Sequence, residues 1–334
     1  MRYLRVFRNL IEKRPILVVF NVTKLCNQRC PMCDICKTSS NDMDIGMIGE
    51  YCRALAKFGV GYVFLQGGEP LMRRDLLNIV DEFISNGIKP TIITNGLLLT
   101  RDMGCAIAKR QCNLAISLDS LNRNVYKRMR GVDELDTVIR NIRVISEIKK
   151  HKGLWAVTTT ITKLTGLRDV KCMEKFARDN GFMFAIRPYV FVNGAAGKRD
   201  DDLVYKYEDV REIFDYMLRI SRRNNYLASL VYNEHIRYIK GEKLFSCDAA
   251  KHSFVLGESG IFSLCMEFPG LNFSLEEYAQ AAENCTATLE DCNDNTPCFY
   301  NNAREIGILW RNKFRILVNF PRILWQMIRY GNFF

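Results

Sequence analysis

The sequence predicts an α/β fold built from parallel strand–helix units, and three observations carry that prediction. The first is alternation. Apolar β-like runs at 16–23, 62–66, 89–94, 113–118, 154–162 and 182–190 alternate with helical periods at about 47–58, 73–86, 100–110, 122–150 and 167–180. A parallel neighbour needs a crossover, and helices of this length supply it. A further helix at about 206–222 closes the sixth unit. The second observation is that polar residues collect where strands end, the place where parallel barrels keep their chemistry. The third is size. With 334 residues, 48% of them hydrophobic, the chain can fill one such barrel and an appendage.

Taken in order, residues 1–15 form an amphipathic helix. Leu4, Phe7, Leu10 and Ile11 recur at helical spacing with Arg2, Arg5 and Arg8 between them, and Pro15 ends the run. The first strand leads into Cys26-Asn27-Gln28-Arg29-Cys30-Pro31-Met32-Cys33, three thiols spaced C-x3-C-x2-C. Thiolates are soft ligands that suit zinc or iron–sulfur clusters. A zinc site needs a fourth ligand, and Cys36 stands close enough in sequence to supply one. A cluster on three cysteines instead leaves one iron open, and an open position marks a catalytic site.

The second strand ends in Gly67-Gly68-Glu69-Pro70, the third in Thr94-Asn95-Gly96, and the fourth in Ser117 and Asp119. Thr160 and Thr162 lie late in the fifth, and Arg187 late in the sixth. Read alone, Asn95–Gly96 is also a turn signal, and Ser117 and Asp119 are also helix caps. Cys52, Cys105, Cys112 and Cys172 fall singly on helices or at their ends and read as small buried hydrophobes.

The cysteine run followed by Gly67–Pro70 resembles the radical S-adenosylmethionine (SAM) enzymes, and the likeness covers the six strand–helix units. It implies a partial (β/α)6 TIM-type barrel over 16–225, with a [4Fe-4S] cluster on Cys26, Cys30 and Cys33 and SAM on the open iron. It further implies that the loop of Gly67, Gly68, Glu69 and Pro70 binds the SAM amino group through its backbone. Asn95, Ser117 and Asp119 would face the ribose or the methionine carboxylate, and Arg130 would pair with that carboxylate, a geometry suited to guanidinium. Met32 stands where the family often has an aromatic residue, and its polarizable thioether suits the same contact. Cys36 is then a bystander, since a fourth thiolate would close the iron that SAM needs. By the same resemblance, an external electron donor of flavodoxin or ferredoxin type reduces the cluster. SAM then yields methionine and a 5′-deoxyadenosyl radical that abstracts hydrogen from substrate.

After about residue 240 the pattern changes. Cys247, Gly260 and Cys265 stand in C-x12-G-x4-C spacing, with Glu258-Ser259-Gly260 as a hairpin turn. This resembles the start of a SPASM/twitch extension, which carries auxiliary iron–sulfur sites. A full SPASM domain uses seven cysteines, and here only Cys247, Cys265, Cys285, Cys292 and Cys298 are present, with Asn302 where another is expected. The expectation is a twitch-like domain over 240–303 with one auxiliary [4Fe-4S] cluster on Cys247, Cys265, Cys292 and Cys298. Cys285 is the reserve for Cys292, and zinc on the same thiols is the alternative.

The net charge of +11 is concentrated at the ends. Residues 1–24 hold six basic side chains against Glu12, and residues 308–334 hold five and no acid, so each end carries +5. The 304–334 tail mixes these cations with Ile308, Trp310, Phe314, Leu317, Phe320, Leu324 and Ile328, and Pro321 is expected to kink or split it. Basic amphipathic segments with Trp and Phe read as interfacial membrane helices or as helices docked on the body. No RNA-binding motif accompanies the charge, so no nucleic-acid partner is expected. No run reaches the ~18 apolar residues of a membrane span, and no signal peptide is visible. Thirteen cysteines without secretion signals imply a reducing cytoplasm; on the interfacial reading of the basic ends, an anionic membrane surface is a peripheral partner.

The leading substrate expectation is a lipid or lipid-linked molecule, motivated by the two basic ends. Alternatives are a ribosomally made peptide, for which Cys26 leaves little room for a preceding binding module, and a sugar or cofactor precursor. A non-catalytic iron–sulfur electron carrier is the reading from another class, and the intact Gly67–Pro70 loop speaks against it.

Overall fold

Six parallel strands pair in sequence order: β1 (Leu17–Thr23), β2 (Tyr62–Gly67), β3 (Lys89–Thr94), β4 (Asn113–Ser117), β5 (Trp155–Ile161) and β6 (Met183–Pro188). This is a computed structural model. It describes residues 2–330 apart from 13, 149–152, 191–196, 243, 246, 248, 250, 267, 275, 276, 278–297 and 300.

Side-chain alternation gives the sheet two faces. Val18, Phe20, Val22, Val63, Leu65, Ile92, Leu114, Ile116 and Val157 point outward into one core shared with the crossover helices α2 (Ile45–Phe58), α3 (Leu76–Ser85), α4 (Arg101–Lys109) and α6 (Leu135–Ser146). Ile161 and Ile186 join a second core with α7 (Leu167–Asp179), α8 (Tyr207–Asn224) and α9 (Tyr226–Ile239). The other face is more polar and carries Asn21, Gln66, Thr91, Asn113, Ser117, Thr158, Thr160 and Arg187.

That second face is concave. On the helix α10 (Asn301–Arg311), Glu305 pairs with Arg187 of β6, while its neighbour Ile306 packs against the cluster of Val6, Ile16 and Leu17 at the start of β1. Five strand spacings of about 4.8 Å would hold β1 and β6 ~24 Å apart in a flat sheet. Adjacent residues reach both only because the sheet curls. The barrel is partial, as expected. β6 and β1 do not pair, and the free side of β1 is taken by β7 (Ser253–Leu256), which runs parallel to it.

β7 and β8 (Phe262–Cys265) form the expected hairpin, closed by the Gly257 N–H donating to Ile261 O at 2.8 Å. β9 (Phe268–Phe273) then completes a nine-stranded sheet. The segment after residue 240 is therefore continuous with the barrel sheet.

Three elements differ from expectation. The helix read over 122–150 is two, α5 (Arg123–Arg130) and α6, because Gly131 takes φ +69° and ends the first turn run. A Cβ there would sit 2.2 Å from Arg29 O, so the break brings α5 against the cysteine loop. Helix α9 has no counterpart in the sequence reading. The tail divides into α10, α11 (Lys313–Val318) and α12 (Phe320–Tyr330), with breaks at Asn312 and Asn319; Pro321 sits in the first turn of α12, where its missing N–H costs nothing.

Helix α1 (Arg2–Ile11) docks where the strands begin. Arg5 donates to Ala56 O, Asn86 O and Gly87 O at 3.0, 3.3 and 3.2 Å, and Asn9 donates to Pro15 O and Phe58 O at 2.7 and 3.2 Å. These carbonyls lie before β1, β2 and β3. Arg5→Ala should lower stability by about 1.5–3 kcal/mol, read by denaturant unfolding; an unchanged midpoint would mean that α1 is not held by these bonds.

Candidate active site

The loops at the C-terminal ends of β1–β4 are tied into one unit by a buried carboxylate. Glu69, 1% exposed, accepts from Leu71 N at 3.0 Å, Thr94 Oγ1 at 2.6 Å and Asn95 N at 2.7 Å. Burial raises its pKa, against the pull of these donors and of Arg130. One side chain thus fastens the loop after β2 to the end of β3.

The same loop lies directly on the chain leading to the cysteines. Gly68 N and Glu69 N donate to Thr23 O and Leu25 O, each at 2.7 Å. A Cβ on Gly68 would stand 2.0 Å from Leu25 O, and one on Gly67, at φ +122°, 2.3 Å from Thr23 O. Only glycine permits this approach. Asn95 closes the ring: its Nδ2 donates to Asn27 Oδ1 at 2.7 Å, inside the cysteine loop, and its Oδ1 accepts from Leu97 N at 3.0 Å.

Cys26, Cys30 and Cys33 are half-buried on that loop. Burial pushes the Cys26 thiol up to about 12 and raises Cys30 and Cys33, so metal binding here must displace protons. Among the described residues no three Cys, His, Asp or Glu side chains converge as they would around a single ion. A four-iron cluster binds each thiolate to a different iron and needs no such convergence. Cys36 is already engaged, accepting from Arg29 Nη1 at 2.9 Å and lying 3.5 Å from Gln28 O.

Asp119 and Arg130 are placed together beside Cys30. Arg130 Nε lies 2.6 Å from Asp119 Oδ2, with Asp119 fully buried and Arg130 8% exposed. The approach is an ion contact rather than an aligned hydrogen bond. Burial opposes the Arg130 charge, but Asp119 and Cys30 together hold its pKa above the ordinary value. Asp119 Oδ1 also accepts from Thr160 N at 2.8 Å. The two residues expected to meet SAM separately thus hold each other, and Ser117 stands half-buried on the concave face near them. The Arg130 carbonyl accepts from Arg29 N at 3.3 Å, which fixes α5 to the cysteine loop.

Several contacts escape the sequence reading. Gln28, 2% exposed, donates to Tyr126 Oη at 3.1 Å and locks the loop onto α5. Tyr126 shares a helix face with Arg130, the one signal that could have found it. On the concave face, Arg187 Nη1 meets Glu305 Oε1 at 2.8 Å, and burial raises the Glu305 carboxyl against the pull of Arg187. Nearby His235 is fully buried, and burial together with Arg187 keeps it neutral.

In the extension, Cys247 and Cys265 are half-buried and Cys298 is buried. Cys285 and Cys292 lie outside the described residues. Met266, next to Cys265, brings its sulfur 3.3 Å from Asn21 Nδ2 at the end of β1, so the extension reaches the barrel mouth.

Residues 20–178 match the family model described as the Radical SAM superfamily. A protein named probable GTP 3′,8-cyclase from Metallosphaera sedula is 36% identical over 127 residues, covering 36% of this chain and 40% of that protein. One of the same name from Methanothermobacter thermautotrophicus is 30% identical over 182 residues, covering 52% of this chain and 57% of its own length. The chain thus spans about half the length of these relatives. Among solved structures, Streptococcus suis SuiB bound to S-adenosylmethionine superposes with a TM-score of 0.64 at 19% identity, over 85% of this chain and 67% of that one. Native anSMEcpe with bound AdoMet gives 0.63 at 15% identity, over 92% and 99%. At these identities the likeness is one of fold.

Proposed function

We propose, on the premise that residues 20–178 are a radical SAM domain, that this chain is an enzyme that cleaves SAM reductively and abstracts hydrogen from a polar substrate. What carries the proposal is the Glu69 clasp, which holds the Gly67–Pro70 loop, Asn95 and the cysteine loop as one rigid unit. The donor set fits a cluster on Cys26, Cys30 and Cys33. The three thiols share one loop in C-x3-C-x2-C spacing, and Cys36, outside that spacing, differs from them in accepting from the Arg29 guanidinium. A [4Fe-4S] cluster held there supplies one-electron reduction of the SAM sulfonium and, from it, a hydrogen-abstracting carbon radical.

The chain's own residues position and shield. With their N–H groups bonded to Thr23 and Leu25, Gly68 and Glu69 have no donors left over, which suits the loop to a ligand that donates, as the SAM ammonium does. Asn95 fixes the cysteine loop through Asn27, and the Asp119–Arg130 pair sets a buried, oriented polar wall next to Cys30. The electron comes from an external donor, of flavodoxin or ferredoxin type in this proposal.

The concave face supports a polar reacting group. Asn21, Gln66, Thr91, Asn113, Thr158 and Arg187 offer donors and acceptors there, interleaved with apolar residues such as Val19, Phe64 and Ile93. This favours a sugar, nucleotide or cofactor precursor, the class to which the relatives' name GTP 3′,8-cyclase also belongs. The lipid expectation rested on the basic ends, and α1 docks at the opposite end of the barrel from the cysteine loop.

The twitch-like domain is proposed to hold one auxiliary cluster on Cys247, Cys265, Cys292 and Cys298. Anaerobically reconstituted protein should then contain about eight irons, two four-iron clusters on thiolates. A content of about four irons with one zinc per chain would replace the auxiliary cluster with a structural zinc site.

A further inference from the structure

The outer surface at the base of the barrel, where the strands begin, is used by nothing in the chemistry above. Helix α1 buries Val6 and Asn9 and turns Leu4, Phe7 and Ile11 outward along one stripe, with Phe7 63% exposed. The tail reaches the same end. The Trp310 ring lies 6.3 Å from that of His252, whose carbonyl accepts from Ile16 N and Leu17 N at the start of β1. Helix α12 is bonded at the corner between α8 and α9, where Gln326 accepts from Tyr226 N at 2.8 Å and donates to Arg223 O at 2.9 Å. Beyond Trp310, Phe314, Leu317, Val318, Phe320, Leu324 and Trp325 are exposed, with Phe314 at 71%.

The charge on this surface is predominantly positive. Lys313 sits over the Trp310 ring and Arg322 over Tyr226, contacts that leave both cations unneutralised. Between α1 and the end of α2 lies a groove of about 680 Å³ lined by Arg5, Arg8, Arg14 and Lys57. Glu12 pairs with Arg8 and Arg14 at its edge, which leaves the group strongly cationic.

We propose that this face docks on an anionic phospholipid bilayer, with the apolar side chains of α1, α11 and α12 at the acyl boundary and the cationic groove taking a lipid phosphate. The charge argues for this occupant. Two copies of the chain would bring the basic α1 and tail segments of each into contact, and like charges repel. No described helix is long and apolar enough to cross a membrane, so the contact is a surface one. Docked this way, the protein lies on the bilayer with the cysteine loop turned to the aqueous phase. Attachment is then separate from substrate entry, and the proposal stands whatever the substrate is.

The test is co-sedimentation of the full-length reconstituted protein with vesicles of mixed phosphatidylglycerol and phosphatidylcholine, and with phosphatidylcholine alone. Binding is expected only to the mixed vesicles and should fall as salt rises. Each cation near such a surface is worth about fivefold in partitioning, so Arg8→Glu with Lys57→Glu should weaken binding more than tenfold. Phe7→Ser with Phe314→Ser should weaken it similarly. All four residues lie outside the proposed catalytic unit, so SAM cleavage in solution should be unchanged, which separates this result from the fate of the proposed chemistry. Glycerol phosphate in solution should not release bound protein. Equal binding to both vesicles, no binding, release by glycerol phosphate, self-association through this face, or indifference to both double variants would each overturn the proposal.

Discussion

Cys30→Ala should bring SAM cleavage down to the background of reductant and buffer, while Cys36→Ala keeps it. Losing a supporting residue around a metal site costs about 10–100-fold, and losing one of three ligands should cost more. The iron content should fall by about four per chain, one cluster, with the auxiliary complement retained. The contrast with Cys36 is informative because the two thiols stand six residues apart on one loop. Cys30 lies beside the Asp119–Arg130 pair, whereas Cys36 accepts from the Arg29 guanidinium. If Cys36→Ala lost iron and activity as fully as Cys30→Ala, the loop would hold a four-thiolate site with no open position, and the proposed chemistry would fail.

Gly68→Ala is the second large effect, and it acts through the backbone. One methyl would stand 2.0 Å from Leu25 O, closer than any real contact, and neither backbone segment can yield easily. Both are pinned, one by Glu69 and the other by the cysteine loop. Overpacking typically costs about 1–3 kcal/mol, and at a site with backbone on both sides the upper end is expected, together with loss of cluster binding. Gly166→Ala is the control. Its Cβ would meet only Asp169 Oδ2 at 3.5 Å, so its cost should be no more than the ~1 kcal/mol of a poorer helix N-cap, with cluster binding intact. Equal midpoints for the two variants, with full iron in both, would show that the Gly67–Pro70 loop does not support the cysteines.

The strand–helix alternation was legible because period-two and period-3.6 patterns persist in each unit, and the strands of the barrel lie within two residues of their expected bounds. The site's motifs were legible for a different reason: glycine at a sterically closed approach and closely spaced cysteines are chemically distinctive. The partnerships were not. That Asp119 binds Arg130, that Gln28 reaches Tyr126, and that Glu305 crosses to Arg187 depend on how loops and a distant helix fold onto the barrel. Local pattern carries no record of such pairings. The break at Gly131 went unseen for a related reason, since the helical period resumes after it and only the contact with Arg29 O demands a glycine there. The basic ends showed in composition, but which end of the barrel they occupy required the carbonyls that Arg5 and Gln326 bind.

The most direct measurement is the yield of 5′-deoxyadenosine from SAM, using anaerobically reconstituted full-length protein and a strong reductant. A catalytic cluster with an open iron predicts 5′-deoxyadenosine and methionine in equal amounts, absent without protein or without reductant. A protein fully loaded with iron that leaves SAM intact would contradict the account, and would make the chain an iron–sulfur electron carrier on a barrel scaffold.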